Sequence, residues 1–124
     1  MKKLSNEPIA LVVGLCSHGL AMTRALHMNG VEVHAFEANP NLPGVKTNSA
    51  KIHLIANIKT VSLIDDLLSF RQKIPNNRPI VLFPTNDNNV KVIGQHIETL
   101  TPHFVLSWQT CATEVLELLL KNNI

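Results

Sequence analysis

The sequence predicts an α/β fold: a three-layer αβα domain built around a doubly wound, mostly parallel sheet. Three observations predict it. Short apolar runs alternate along the chain with segments of helical apolar spacing. Glycine or proline punctuates most of the junctions between them. The run from Ile9 to Glu37 reads as buried strand, glycine turn, amphipathic helix, glycine stop and second strand, the βαβ unit that joins parallel strands.

Each element follows in order. Residues 9–14 are continuously apolar, as in a strand covered on both faces. Ser17 or His18 starts the first helix, with Leu20, Ala21, Ala25, Leu26 and Met28 as its apolar stripe and Gly30 as its stop. Val31 to Phe36 is the second strand. Residues 38–51 form a turn-rich loop, long enough to be functional or mobile. Ile52 to Ile55 is a short third strand. Ser62-Leu-Ile-Asp65 reads as a capping box with Asp in place of Glu, opening a helix that carries Ile64, Leu67, Leu68 and Ile74 on one face and stops at Pro75. Pro79 to Phe83 is the next strand. The turn Pro84-Thr-Asn-Asp-Asn-Asn89 follows, and Asn86 or Asp87 caps a helix with Val90, Ile93, Ile97 and Leu100 at helical spacing before Pro102. His103 to Leu106 is a further strand, and Thr110 opens a last helix. Val115, Leu116, Leu118, Leu119 and Leu120 spread around more than one face of that helix. Two explanations stay open: full burial in its own domain, or packing against a further domain or a second copy of the chain.

Bulk composition narrows the function. The chain of 124 residues forms one domain with one core, residues 1–8 being a flexible N-terminus. A net charge of +2 with dispersed lysines and arginines does not suit nucleic acid, and four Phe, one Trp and no Tyr make base-stacking platforms scarce. The apolar stretch after Met1-Lys-Lys is too short for a signal core and far short of the ~20 residues of a membrane helix. Two cysteines make no disulfide framework, so a reduced, cytoplasmic compartment is expected.

The candidate ligand residues sit in turns. Gly14-Leu-Cys-Ser-His-Gly19 follows the first strand, but Cys16 stands where a dinucleotide fingerprint needs its middle glycine. Leu20 and Ala21 stand where a P-loop needs Lys and then Ser or Thr. The helix beginning at Ser17 and His18 still offers backbone N–H groups to a carboxylate or phosphate. Alternatively, Gly14 and Gly19 only permit close packing of strand and helix. Glu37, ending the second strand, is placed either for a ribose hydroxyl or as an ordinary surface acid. Thr85, Asn86 and Asp87 end a central strand on the expected ligand edge, as ligand contacts or as a helix cap alone. Cys16, His18 and Asp87 as nucleophile, base and orienter lack an oxyanion hole, so a catalytic role is not assigned. The six histidines show no zinc-ligand spacing, and no metal site is expected.

Several of these elements carry a family resemblance. Gly19-Leu-Ala-Met-Thr-Arg-Ala-Leu26, Gly30-Val-Glu-Val-His34, Thr47-Asn-Ser49 and Val81-Leu-Phe-Pro-Thr-Asn-Asp87, in that order, resemble the Rossmann-like N-terminal domain that precedes the ATP-grasp fold in carboxylate–amine or carboxylate–thiol ligases. His103 to Leu106 and Val115 to Lys121 are similar to the family's passage into the ATP-grasp core. The Asn48-Ser49-Ala50-Lys51 segment departs from the family in lacking an Arg and a Tyr. The resemblance implies a substrate-side domain for a small-molecule carboxylate. ATP and magnesium would be handled by a C-terminal catalytic domain lying beyond this chain, which would itself be inactive. A stand-alone Rossmann-like nucleotide-binding or protein-interaction module, homodimeric through its last helix, is the alternative. A degenerate dinucleotide-binding domain is a third.

Overall fold

The computed structural model describes residues 7–106, in the order β1 (Ile9–Val13), α1 (Ser17–Met28), β2 (Glu32–Glu37), a 3-10 turn (Pro43–Lys46), β3 (Lys51–Leu54), α2 (Ser62–Lys73), β4 (Ile80–Pro84), α3 (Asp87–Gln95), α4 (Ile97–Leu100) and β5 (Val105–Leu106). The helix expected from Thr110, with Leu116 and Leu119, lies outside the described residues, as do residues 1–6.

All four strand pairings are parallel, and the sheet order is β3-β2-β1-β4-β5. This is the doubly wound order expected of the sequence. β1 lies at the centre, with Ile9 opposite both Glu32 and Ile80. Its alternate side chains enter two cores. Ile9, Leu11 and Val13 join Leu63, Leu67, Phe70, Ile80, Leu82, Ile93 and Leu100 on one face. Ala10 and Val12 join Leu15, Leu26, Val33, Ala35 and Phe83 on the other. Each fully buried Leu or Ile stabilises the fold by about 1.5–3 kcal/mol relative to exposure.

The handedness of parallel crossovers explains this division. From β1 to β2 the chain steps outward in one direction through α1. From β3 it returns across β1 to β4 through α2, and from β4 to β5 it continues that way through α3 and α4. Right-handed crossovers in opposite directions put their helices on opposite faces. Accordingly α1 packs on one core, whereas α2, α3 and α4 share the other.

Three helix details differ from expectation. In α1 the buried positions are Gly19, Thr23 and Leu26, with Met22 packed beside them; Met28 is 82% exposed. The cause is Gly19, where a Cβ would lie 1.8 Å from the Gly14 carbonyl oxygen. That contact fixes the rotation of the helix, so Thr23, one turn later, faces inward ahead of Ala21 or Ala25.

The Ser62–Asp65 capping box does not form. Ser62 is already helical, the cap position is Val61, and no side chain caps the end. Leu63 and Ile64 donate to the Thr60 and Val61 carbonyls, which starts the turn one residue early. The helix expected from Asp87 to Leu100 is broken at His96, whose backbone leaves helical geometry (φ −119°, ψ 28°). Val90 is exposed, and Val92 enters the core beside Ile93.

No described helix is long and apolar enough to cross a membrane.

Candidate functional site

The two turns singled out in the sequence meet at the carboxyl edge of β1 and β4. Strand order reverses between these strands, and open parallel sheets bind ligands in the crevice outside such a reversal. Pro84 lies opposite Val13 and has no N–H to donate. The Val13 carbonyl is bonded instead by the Thr85 hydroxyl (2.6 Å) and Asn89 Nδ2 (3.3 Å). The turns are thus joined as well as adjacent.

Glycine is required where they touch. Gly14 has φ +101°, and a Cβ there would stand 2.6 Å from Thr85 Oγ1. Gly19 is closed to any side chain by the Gly14 carbonyl oxygen, as described above. The close-packing role of both glycines is therefore built into the site.

Asn89, which sequence reasoning passed over, organises the second turn. It is fully buried, and its Oδ1 accepts from the N–H groups of Thr85 (3.1 Å) and Asn86 (3.3 Å). Its own N–H donates to Asn86 Oδ1 at 3.0 Å. Asn86 and Asn89 form a reciprocal capping box at α3. The spacing Asn-x-x-Asn was the available signal.

Glu37 is neither surface acid nor free acceptor. It is 3% exposed, and its Oε1 accepts from the Leu15 N–H at 2.7 Å. Its Oε2 accepts from the N–H groups of Ala38 and Asn39, both at 2.9 Å. Three N–H donors satisfy both oxygens and bind the first turn to the end of β2. The Thr85 hydroxyl is similarly committed. Cys16, Ser17, His18 and Asp87 are exposed, and their side chains make no hydrogen bond to another described residue. Nothing joins Cys16, His18 and Asp87 into a relay.

Beside these turns lies a cavity of about 390 Å³, bounded by Gly14, Cys16, Glu37, Leu42, Ile58 and Asn86, with Lys59 at its margin. Cys16 holds the cap position of α1 without capping it through its side chain, so the first N–H groups of the helix have no side-chain partner from their cap residue. Leu42 and Ile58 supply an apolar wall. The arrangement suits a small molecule with a carboxylate or similar anion and an apolar body. Ile58 and Lys59 come from the β3–α2 connection, which the sequence pattern did not mark as part of the site.

Thr47–Ser49 does not join it. Asn48 and Ser49 border a separate hollow of about 430 Å³ with Gly30 and Val33, at the amino ends of β2 and β3. Among the described residues no group of three or more His, Cys, Asp or Glu is placed to hold a metal ion.

Compared with known families and curated proteins, the chain matches no family model and no curated sequence. The fold and the cleft define a Rossmann-like α/β domain with an edge cavity at its strand reversal.

Proposed function

We propose that this chain is the substrate-side, N-terminal domain of an ATP-grasp-type carboxylate–amine or carboxylate–thiol ligase. The observation that carries the proposal is the union of the Gly14–Gly19 and Pro84–Asn89 turns on one sheet edge, beside an anion-suited cavity. In this proposal a small carboxylate sets its charge against the start of α1 and Lys59, and its body against Leu42 and Ile58.

The edge does not fit a magnesium–triphosphate. Its buried carboxylate, Glu37, is filled by three N–H donors, and its threonine hydroxyl is spent on the Val13 carbonyl. A Cβ-sized approach to Gly19 is closed by Gly14. ATP and magnesium are therefore assigned to the C-terminal catalytic partner domain that the resemblance implies, in the cytoplasm where ATP is supplied. No step of the ligation is assigned to this chain's own side chains.

Amide NMR tests the proposal, with the 124-residue chain titrated in turn by a panel of small carboxylates, by NAD and by ATP with magnesium. Carboxylates shift the Gly14, Ser17, His18 and Asn86 amides, while NAD leaves them unmoved. NAD or ATP binding at these amides would favour the stand-alone nucleotide module. Magnesium-dependent ADP release by the chain alone would refute the proposal.

A further inference from the structure

A second cavity, of about 420 Å³, opens between β3 and α2, on the far side of β2 from β1, and shares no lining residue with the edge cavity. Its floor is an aromatic cluster in which Phe36, Phe70 and His34 are almost fully buried and the half-buried His53 ring is the part open to the cavity. Phe70 meets the rings of His34, His53 and Phe36 edge-on, at centroid distances of 5.1, 5.3 and 5.7 Å. His34 and His53 are themselves stacked at 5.2 Å. Leu54, 57% exposed, and Ile74 extend the apolar wall. Lys51 and Lys73 stand at the rim against a single acid, Asp66.

The hydrogen bonds beneath the floor leave room for one proton. His34 Nε2 lies 2.8 Å from Glu32 Oε2, and the other Glu32 oxygen accepts from Arg78 Nη2 at 2.9 Å. With Glu32 ionised, His34 Nε2 is the donor, so its Nδ1 is the acceptor of the 2.9 Å bond to His53 Nε2. His53 can then be protonated at Nδ1 without breaking any link of the chain. Burial opposes that proton, as do the neighbouring His34, Lys73 and Lys51, and together they hold the His53 pKa below its ordinary value.

We propose that this cleft is a ligand site for a small planar carboxylate, held by Lys51 and Lys73 against the His53 ring and the Leu54 and Ile74 side chains, and that binding draws a proton onto His53. The anion offsets the positive charges of Lys51 from β3 and Lys73 from α2, which face His53 beside the His34 ring of β2. Asp66 on α2 lines the same cavity and Glu32 on β2 bonds His34; both stay in place. Affinity is therefore highest below the free His53 pKa, declines between that value and the higher one His53 has in the complex, and is level above it. This site is independent of the edge cavity and of the ligase proposal.

Sodium benzoate is the probe, followed on the histidine ring and backbone amide resonances of the whole chain across pH, with inorganic phosphate and benzylamine as comparators. Benzoate is expected to raise the His53 pKa and to shift the His34 ring, phosphate to do so more weakly, and benzylamine not at all. The double variant Lys51→Gln, Lys73→Gln, whose changes lie on exposed side chains, is expected to weaken benzoate about tenfold, the combined worth of two partly screened charge contacts. Its amide spectrum reports that the fold is intact. An unchanged His53 pKa, equal binding by the double variant, or a phosphate response as large as that of benzoate would overturn the proposal. So would benzoate shifts confined to the Gly14 and Asn86 amides, which would place the probe in the edge cavity.

Discussion

Two of the five glycines show why a residue type cannot be interpreted without its neighbours. Gly19 and Gly94 both sit in helices, and the sequence does not distinguish them. A Cβ on Gly19 would strike the Gly14 carbonyl oxygen at 1.8 Å, whereas one on Gly94 would meet nothing within 4 Å. Gly19→Ala is expected to cost about 2–4 kcal/mol, because backbone has to move to admit the methyl. Gly94→Ala is expected to stabilise the protein by about 0.5–1 kcal/mol through helix propensity alone. Urea unfolding of the two variants measures both signs. Glu37 carries the same lesson. An acid at a strand end is common surface chemistry, and only the positions of the Leu15, Ala38 and Asn39 N–H groups make it a buried brace.

At the scale of elements, the ends of helices separate what was legible from what was not. The cap of α3 was expected at Asn86 or Asp87, since Asn or Asp before a helical apolar pattern is a local signal, and Asn86 takes it. The second role of Asn89, bonded to the Val13 carbonyl on another strand, is non-local and left no trace in the pattern. Asn86→Ala is expected to cost about 1 kcal/mol as a lost cap. Asn89→Ala is expected to cost about 2–3 kcal/mol, because it strands the Thr85 and Asn86 N–H groups and removes a tie to β1. Thermal unfolding of the pair tests the order; equal losses would mean that the tie to β1 contributes nothing.

The corner formed by β2, β3 and α2 gives stability two pH dependences. Burial, His34, Lys73 and Lys51 lower the His53 pKa in the folded state. Between that value and the ordinary 6.5, the unfolded chain binds more protons, so stability falls as the pH drops through this window. For Glu32, burial raises the pKa, but the hydrogen bonds and charges of His34 and Arg78 outweigh it, and the net pKa lies below 4.5. Its contribution is full above 4.5 and is lost as the pH falls through the folded value. Glu32 is 45% exposed and His53 only partly buried, so each effect is small. His53→Gln is expected to flatten the urea midpoint just below pH 6.5 and Glu32→Gln below pH 4.5, each leaving the other window intact.

For the whole molecule, order of the strands decides both stability and the place of the cleft. β1 has strands on both edges and helices on both faces, while β3 and β5 are edges of the described sheet. Hydrogen exchange is therefore expected to be slowest at Leu11 and Val12 with their neighbours His34, Ala35, Leu82 and Phe83, and fastest in β3. Equal protection in β3 and β1 would mean that a further element covers the β3 edge.

Local pattern by itself determined the αβα class, the parallel sheet, the succession of strands and helices, and the two turns that meet at the carboxyl edge of the sheet. Those properties rest on apolar period, glycine and proline, which act over a few residues. Tertiary structure alone decided the rotation of α1, the break at His96, the burial of Glu37 and the meeting of His34 with His53, 19 positions apart. Each of these depends on which atoms from distant segments come within hydrogen-bonding or van der Waals reach, and no periodicity in one segment records that.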